Sequence, residues 1–123
     1  MKQILLVFAG GGFGSILRYI MGKYLNTFEN ALPYGTLLAN LLGSLLIGLL
    51  AGYFLKLTTI SDNYSLFLIT GFCGGFTTFS AFTLENQVFL KNGDYFQFLL
   101  YTFSSIFFGI VAVFFGWFLA KFI

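Results

Sequence analysis

The chain has 123 residues, of which 59% are hydrophobic and only 8% are charged, with a net charge of +2 and a mean hydropathy of +0.93. Soluble domains carry about 25% charged residues, so this composition excludes an ordinary soluble enzyme and indicates a small membrane protein. The absence of His and the single Cys exclude a His/Cys zinc site, a Cys–His nucleophile and an internal disulfide. The length suits one domain, residues 1–123, and is too short for two.

Four stretches of the chain are long and apolar enough to cross a bilayer, which takes about 20 residues of helix. They cover about residues 4–25, 35–55, 64–90 and 95–120. Short polar connections at residues 26–33, 56–63 and 91–94 separate them, and Pro33 marks the start of the second helix. The first stretch begins like a signal peptide but lacks a clear cleavage site, so we expect a retained helix. The sequence therefore predicts an all-α membrane protein with four transmembrane helices.

Basic residues flank the spans almost evenly on the two sides of the membrane. With four spans, the amino terminus, the second connection and the carboxyl terminus share one side. That side holds Lys2, Lys56 and Lys121, whereas the other holds Lys23, Lys91 and, if it reaches the rim, Arg18. The positive-inside rule then gives little preference between orientations. We expect both orientations to be made, which permits an antiparallel dimer; the alternative is insertion in one direction.

Small residues and a few polar side chains distinguish the first two helices. Gly10 and Gly14 are four residues apart, as are Ala39 and Gly43, a spacing that favours close helix packing in lipid. Polar side chains inside spans are functional candidates by default. An amide such as that of Asn40 cannot be satisfied within its own helix, so it either joins two helices or lines a polar path.

The centre of the third helix is the most informative stretch. Gly71, Gly74 and Gly75 are followed by Thr77 and Thr78, which are poor helix formers and good caps. We expect a discontinuous helix here, with a glycine kink as the alternative. Carbonyls released by such a break suit Na⁺. One chain offers only two or three of these oxygens, so a full shell would need a second subunit.

The residues after the break form an aromatic and acidic stripe. Phe79, Phe82 and Glu85 are three residues apart and share one helix face beside Ser80. Phenyl ring edges carry partial positive charge and are able to face a small anion. Packing is the alternative reading of this pair of rings.

Three motifs carry a resemblance to a known family. They are GGGFGSILRY at 10–19, GTLLANLLGSLLIG at 35–48 and GFCGGFTTFSAFTLE at 71–85. Over essentially its whole length the chain resembles the Fluc (CrcB) family of bacterial fluoride channels. The resemblance implies an antiparallel, dual-topology dimer with two fluoride pores and a central, structural Na⁺.

The resemblance also implies roles for individual residues. The fluoride pore would include Asn40, Phe79, Phe82, Ser80, Glu85, Tyr101 and Ser105. Arg18 would lie at a vestibule, and the backbone carbonyls of Gly74 and Thr77 from both subunits would hold Na⁺. The family commonly has Thr where this chain has Ala81, so one hydroxyl of the polar track is missing.

The expected function is therefore passive, fluoride-selective export across the inner (plasma) membrane by a homodimer, which lowers fluoride toxicity and involves no enzyme chemistry. One alternative is a subunit of an obligate heterodimeric fluoride channel. A second is a small proton-coupled multidrug transporter, which characteristically needs a carboxylate in its first helix. The first helix of this chain has none, and Glu85 in the third is its only candidate.

Overall fold

The computed structural model describes residues 1–27, 31–57 and 62–123, so residues 28–30 and 58–61 of the first two predicted connections lie outside the described residues. Within those ranges the regular structure is helical, without a strand. Four helical stretches are long and apolar enough to cross a membrane: Lys2–Leu25, Tyr34–Phe54, Asp62–Asn92 and Tyr95–Phe122. We refer to them as the first to fourth spans. They confirm the predicted all-α membrane fold.

The spans pack as two close pairs. The first span lies against the first half of the third, and the second lies against the fourth. A Cβ on Gly10 would collide with the Phe67 carbonyl, and one on Gly14 would collide with the Phe72 carbonyl. Glycine at these positions therefore lets the first and third spans touch through their backbones, as the four-residue spacing predicts.

The third span is interrupted at Thr77 and Thr78. Its first half comprises an α-helical turn at Asp62–Ser65, a π-helix at Leu66–Cys73 and a last turn at Gly74–Phe76. Thr77 has ψ 155° and Thr78 has φ −150° and ψ 125°, so both are extended. The second half is an α-helix at Phe79–Asn92.

The two threonines, and not the glycines before them, make the break. Gly74 keeps helical angles, with φ −63° and ψ −37°. The helix restarts because the Thr78 side chain accepts a hydrogen bond from the Ala81 N–H at 3.2 Å, as an N-cap does. The predicted discontinuous helix is confirmed.

The outer faces of the spans are apolar. In the fourth helix, Tyr95–Leu119, only Tyr101 and Gly116 are buried. Large side chains such as Phe103 and Phe114 are more than half exposed within the single chain. Such surface is unfavourable in water but is solvated by lipid chains, in keeping with a multi-pass membrane protein.

Candidate functional site

Asn40 clamps the extended backbone at the break of the third span. Its Nδ2 donates to the Thr78 carbonyl at 3.1 Å, and its Oδ1 accepts from the Thr78 N–H at 2.7 Å. The amide therefore satisfies both the N–H and the carbonyl of Thr78, as the backbone of a neighbouring β-strand would. Of the two roles expected for Asn40, the structure shows the one that joins two helices, and the residue also borders a cavity.

This clamp releases carbonyl oxygens from the helical pattern. In a continuous helix the Gly74 carbonyl would accept from the Thr78 N–H, and the Thr77 carbonyl would accept from the Ala81 N–H. Here the Thr78 N–H donates to Asn40 Oδ1 instead, and the Ala81 N–H donates to Thr78 Oγ1. The two oxygens are hard ligands of the kind that suits Na⁺. The residues present therefore fit the cation, although two oxygens from one chain do not complete its coordination shell.

The side chain of Arg18 binds the carbonyl of Gly75, the residue that follows Gly74. Arg18 Nε donates to the Gly75 carbonyl at 3.1 Å, and Ser15 Oγ donates to the same oxygen at 3.4 Å. The side chain expected at a vestibule is thus bound to the backbone next to the break. It pins the end of the first half of the third span to the first span.

A cavity of about 320 Å³ opens beside the break. Its lining residues are Asn40, Gly43, Ser44, Ile47, Thr77, Thr78, Phe79, Phe82, Ser105 and Ile106. Ser105 Oγ is buried and has no hydrogen-bond partner among the described residues. The cavity therefore has mainly apolar walls, and a buried hydroxyl without a described partner belongs to one of its lining residues.

The two predicted phenylalanines differ in their surroundings. Their ring centroids are 5.9 Å apart, but Phe79 is 77% exposed in the single chain whereas Phe82 is 8% exposed. Phe82 also packs on Tyr101, with centroids 5.2 Å apart. Phe82 is therefore held between its neighbours, and Phe79 lies on a face that the described residues leave uncovered.

Glu85 lies one helical turn beyond Phe82 and is held by two hydroxyls. Thr36 Oγ1 donates to Glu85 Oε1 at 2.6 Å, and Tyr101 Oη donates to Oε2 at 2.6 Å. Glu85 borders a second cavity of about 500 Å³, whose lining also includes Asn26, Asn92, Asp94 and Gln97. The Phe82–Glu85 turn thus lies between an inner cavity near the break and an outer, more polar one.

The family follows from comparison with known proteins. Residues 5–117 match the family model described as "CrcB-like protein, Camphor Resistance (CrcB)". The chain belongs to the CrcB family.

Three curated relatives of this CrcB chain carry the name "Fluoride-specific ion channel FluC". The protein of Gloeothece citriformis is 48% identical over 122 residues, which cover 98% of each chain. That of Flavobacterium psychrophilum is 43% identical, again over 98% of each chain. That of Chlorobium chlorochromatii is 41% identical over 93% of this chain and 88% of its own.

Ser80 lies on the outside of the CrcB chain. Its Oγ is 3.3 Å from Thr78 Oγ1, and the residue is exposed. Thr83 is exposed as well and donates to the Ser80 carbonyl at 3.0 Å. Both residues are therefore exposed, as Phe79 is.

Sequence reasoning missed two residues near Glu85 in this CrcB chain, Thr36 and Asn26. Thr36 and Asn86 are buried polar residues, with 4% and 6% exposure, and Asn26 donates to Thr36. Asn86 accepts from the Thr102 hydroxyl at 3.2 Å, which joins the third and fourth spans. The signal that could have found them is a polar side chain within or beside an apolar span.

Proposed function

We propose that this chain is a fluoride-specific ion channel that lets cytoplasmic fluoride leave the cell passively and so lowers its toxicity. The observation that carries the proposal is the identity of 41–48%, over nearly the full length, to relatives named as fluoride-specific channels. The two cavities at either end of the Phe82–Glu85 turn support the proposal, because a route that joined them would pass the predicted pore residues. The membrane is proposed to be the inner (plasma) membrane.

Fluoride holds its water tightly, so the route must replace that water with other donors and still release the ion. One Nδ2–H of Asn40 donates a hydrogen bond to the Thr78 carbonyl, and the second is proposed to face the inner cavity. The Ser105 hydroxyl, which is buried without a partner among the described residues, is proposed as the second donor. The ring edges of Phe79 and Phe82 provide weak attraction that does not trap the ion.

Farther along the route, we propose that fluoride passes the hydroxyls of Ser80 and Tyr101 and the carboxylate of Glu85. The carboxylate accepts hydrogen bonds at both of its oxygens, which reduces its repulsion of an anion. In acidic surroundings fluoride enters cells as HF and dissociates inside, so export down its gradient needs no coupled proton. Arg18 is proposed to attract the anion at a vestibule while it holds the Gly75 carbonyl.

The functional unit is proposed to be an antiparallel homodimer. The balance of basic residues across the membrane supports two orientations. The open space beside Gly74 supports a contact with a second subunit, because among the described residues a Cβ built there meets only the Ile69 carbonyl within 4 Å, at 3.9 Å. Na⁺ would be held by the Gly74 and Thr77 carbonyls of both subunits, where it would neutralise their partial charge and join the two breaks.

The decisive experiment is reconstitution of the purified chain alone into liposomes, with fluoride and chloride efflux followed by ion-selective electrodes. We expect rapid fluoride efflux and negligible chloride efflux. Absence of fluoride efflux from the single gene product would overturn the homodimeric channel; recovery with a second family member would then identify a heterodimer. Proton-coupled dye transport would instead identify a multidrug transporter. Insertion in both orientations is measured by labelling a terminal cysteine from each side.

A further inference from the structure

Asn26 ends the first span and joins it to the start of the second. Its Oδ1 accepts from the N–H groups of Gly35 at 2.7 Å and Thr36 at 3.3 Å. Both N–H groups belong to the first turn of the second span, where the helix itself supplies no acceptor. A Cβ on Gly35 would lie 2.8 Å from Asn26 Oδ1 and 2.6 Å from the Met21 carbonyl, so glycine is required for this approach.

The orientation of the Asn26 amide follows from these bonds. Backbone N–H groups only donate, so the atom that faces them must be the oxygen and the other atom must be the NH₂ group. That Nδ2 lies 3.0 Å from Thr36 Oγ1, to which it donates. Because an NH₂ group cannot accept, Thr36 is unable to donate back, and its single proton is directed at Glu85 Oε1, 2.6 Å away.

We propose that Asn26 is a positioning residue for fluoride transport, acting through the Thr36 hydroxyl on Glu85. The inference rests on the proposed fluoride-channel function. Asn26 and Glu85 both border the outer cavity. Without Asn26, the Thr36 hydroxyl is free to turn away, and Glu85 Oε1 then presents its full negative charge beside the path of an anion. The barrier to fluoride rises although Asn26 itself is not required to touch the ion.

The test is a double-mutant cycle with Asn26→Ala and Thr36→Val, measured as fluoride efflux from liposomes. Each single variant is expected to slow efflux about tenfold, equivalent to about 1.4 kcal/mol in the barrier. The double variant is expected to be about as slow as Thr36→Val alone, because Asn26 acts through Thr36. Gln3→Ala removes an exposed amide from the other end of the same span and should leave efflux unchanged.

Asn26→Asp separates transport from folding. The carboxylate still accepts from the two N–H groups but donates nothing to Thr36, so this variant should melt near the wild-type temperature and conduct slowly. If Asn26→Ala fails to fold, Asn26→Asp carries the efflux test and is measured with and without Thr36→Val, because direct repulsion of fluoride by the added carboxylate would persist when Thr36 is replaced, whereas an effect through Thr36 would not. Wild-type efflux in either Asn26 variant would overturn the proposal. So would a double variant whose efflux is slowed by the product of the two single-variant factors.

The melting temperatures of the same variants test the Asn26–Thr36 bond without transport. A non-additive change in melting temperature supports the bond, and strict additivity argues against it. A wild-type chain that conducts no fluoride would refute the proposed function even where this coupling is present, so the two failures are distinguishable.

Discussion

Replacement of Asn40 by Leu tests the clamp on the broken span and the fluoride path together. Leu has a similar size but neither donates to nor accepts from Thr78, so two hydrogen bonds are lost, those of 3.1 Å and 2.7 Å. Interhelical hydrogen bonds in membranes contribute about 0.6 kcal/mol on average and up to about 1.7 kcal/mol. The expected loss of stability is therefore about 1–3 kcal/mol. Loss of the cavity donor should slow fluoride efflux by roughly tenfold or more.

Two assays measure the effects of Asn40→Leu on transport and on stability separately. Fluoride efflux from liposomes measures the path, and unfolding in detergent measures the clamp. Leu42→Ala is the matched control, because Leu42 is on the same helix, is 48% exposed and lines neither cavity. Wild-type efflux in Asn40→Leu would refute the pore assignment, and slow efflux with unchanged stability would refute the clamp.

The remaining predictions concern packing, assembly and the aromatic pair. Gly75→Ala should prevent folding, since its Cβ would lie 2.9 Å from the Gly11 Cα. Gly12→Ala is the control and should express normally, because a Cβ there meets no described atom within 4 Å. Equal expression levels of the two variants would contradict this prediction. Gly74→Ala should leave the subunit folded but reduce the dimer fraction in cross-linking, and an unchanged fraction would count against the proposed interface and Na⁺ site. Phe82→Ile should keep the fold and slow fluoride efflux roughly tenfold, which a wild-type rate would disprove.

Much of the architecture was predictable because it depends on local composition. Apolar runs of about 20 residues predict spans wherever they occur, since a bilayer requires that length of helix. Thr77 and Thr78 predicted the break because their side chains favour caps over helix interiors. Neither inference requires a partner residue to be known.

The tertiary structure decided which side chains meet. Asn40 was recognisable as an amide in an apolar helix, but its partner Thr78 is 38 residues away, and the sequence left two roles open. Likewise Glu85 was an evident candidate, whereas Thr36, 49 residues earlier, and Asn26 were not. Hydrogen bonds need atoms within about 3 Å in a suitable direction, and no local pattern carries that information.

The amino-acid sequence alone thus predicts a membrane protein of four spans, with a break in the third and with basic residues nearly balanced across the membrane. These properties follow from residue type and spacing along one chain. The folded arrangement was needed to show that Asn40 bonds to the backbone at the break, that Ser105 Oγ is buried without a partner among the described residues, and that Asn26 lies against Thr36 beside Glu85. The physical reason is that polar groups removed from water must find partners, and in a four-helix protein those partners come from other helices.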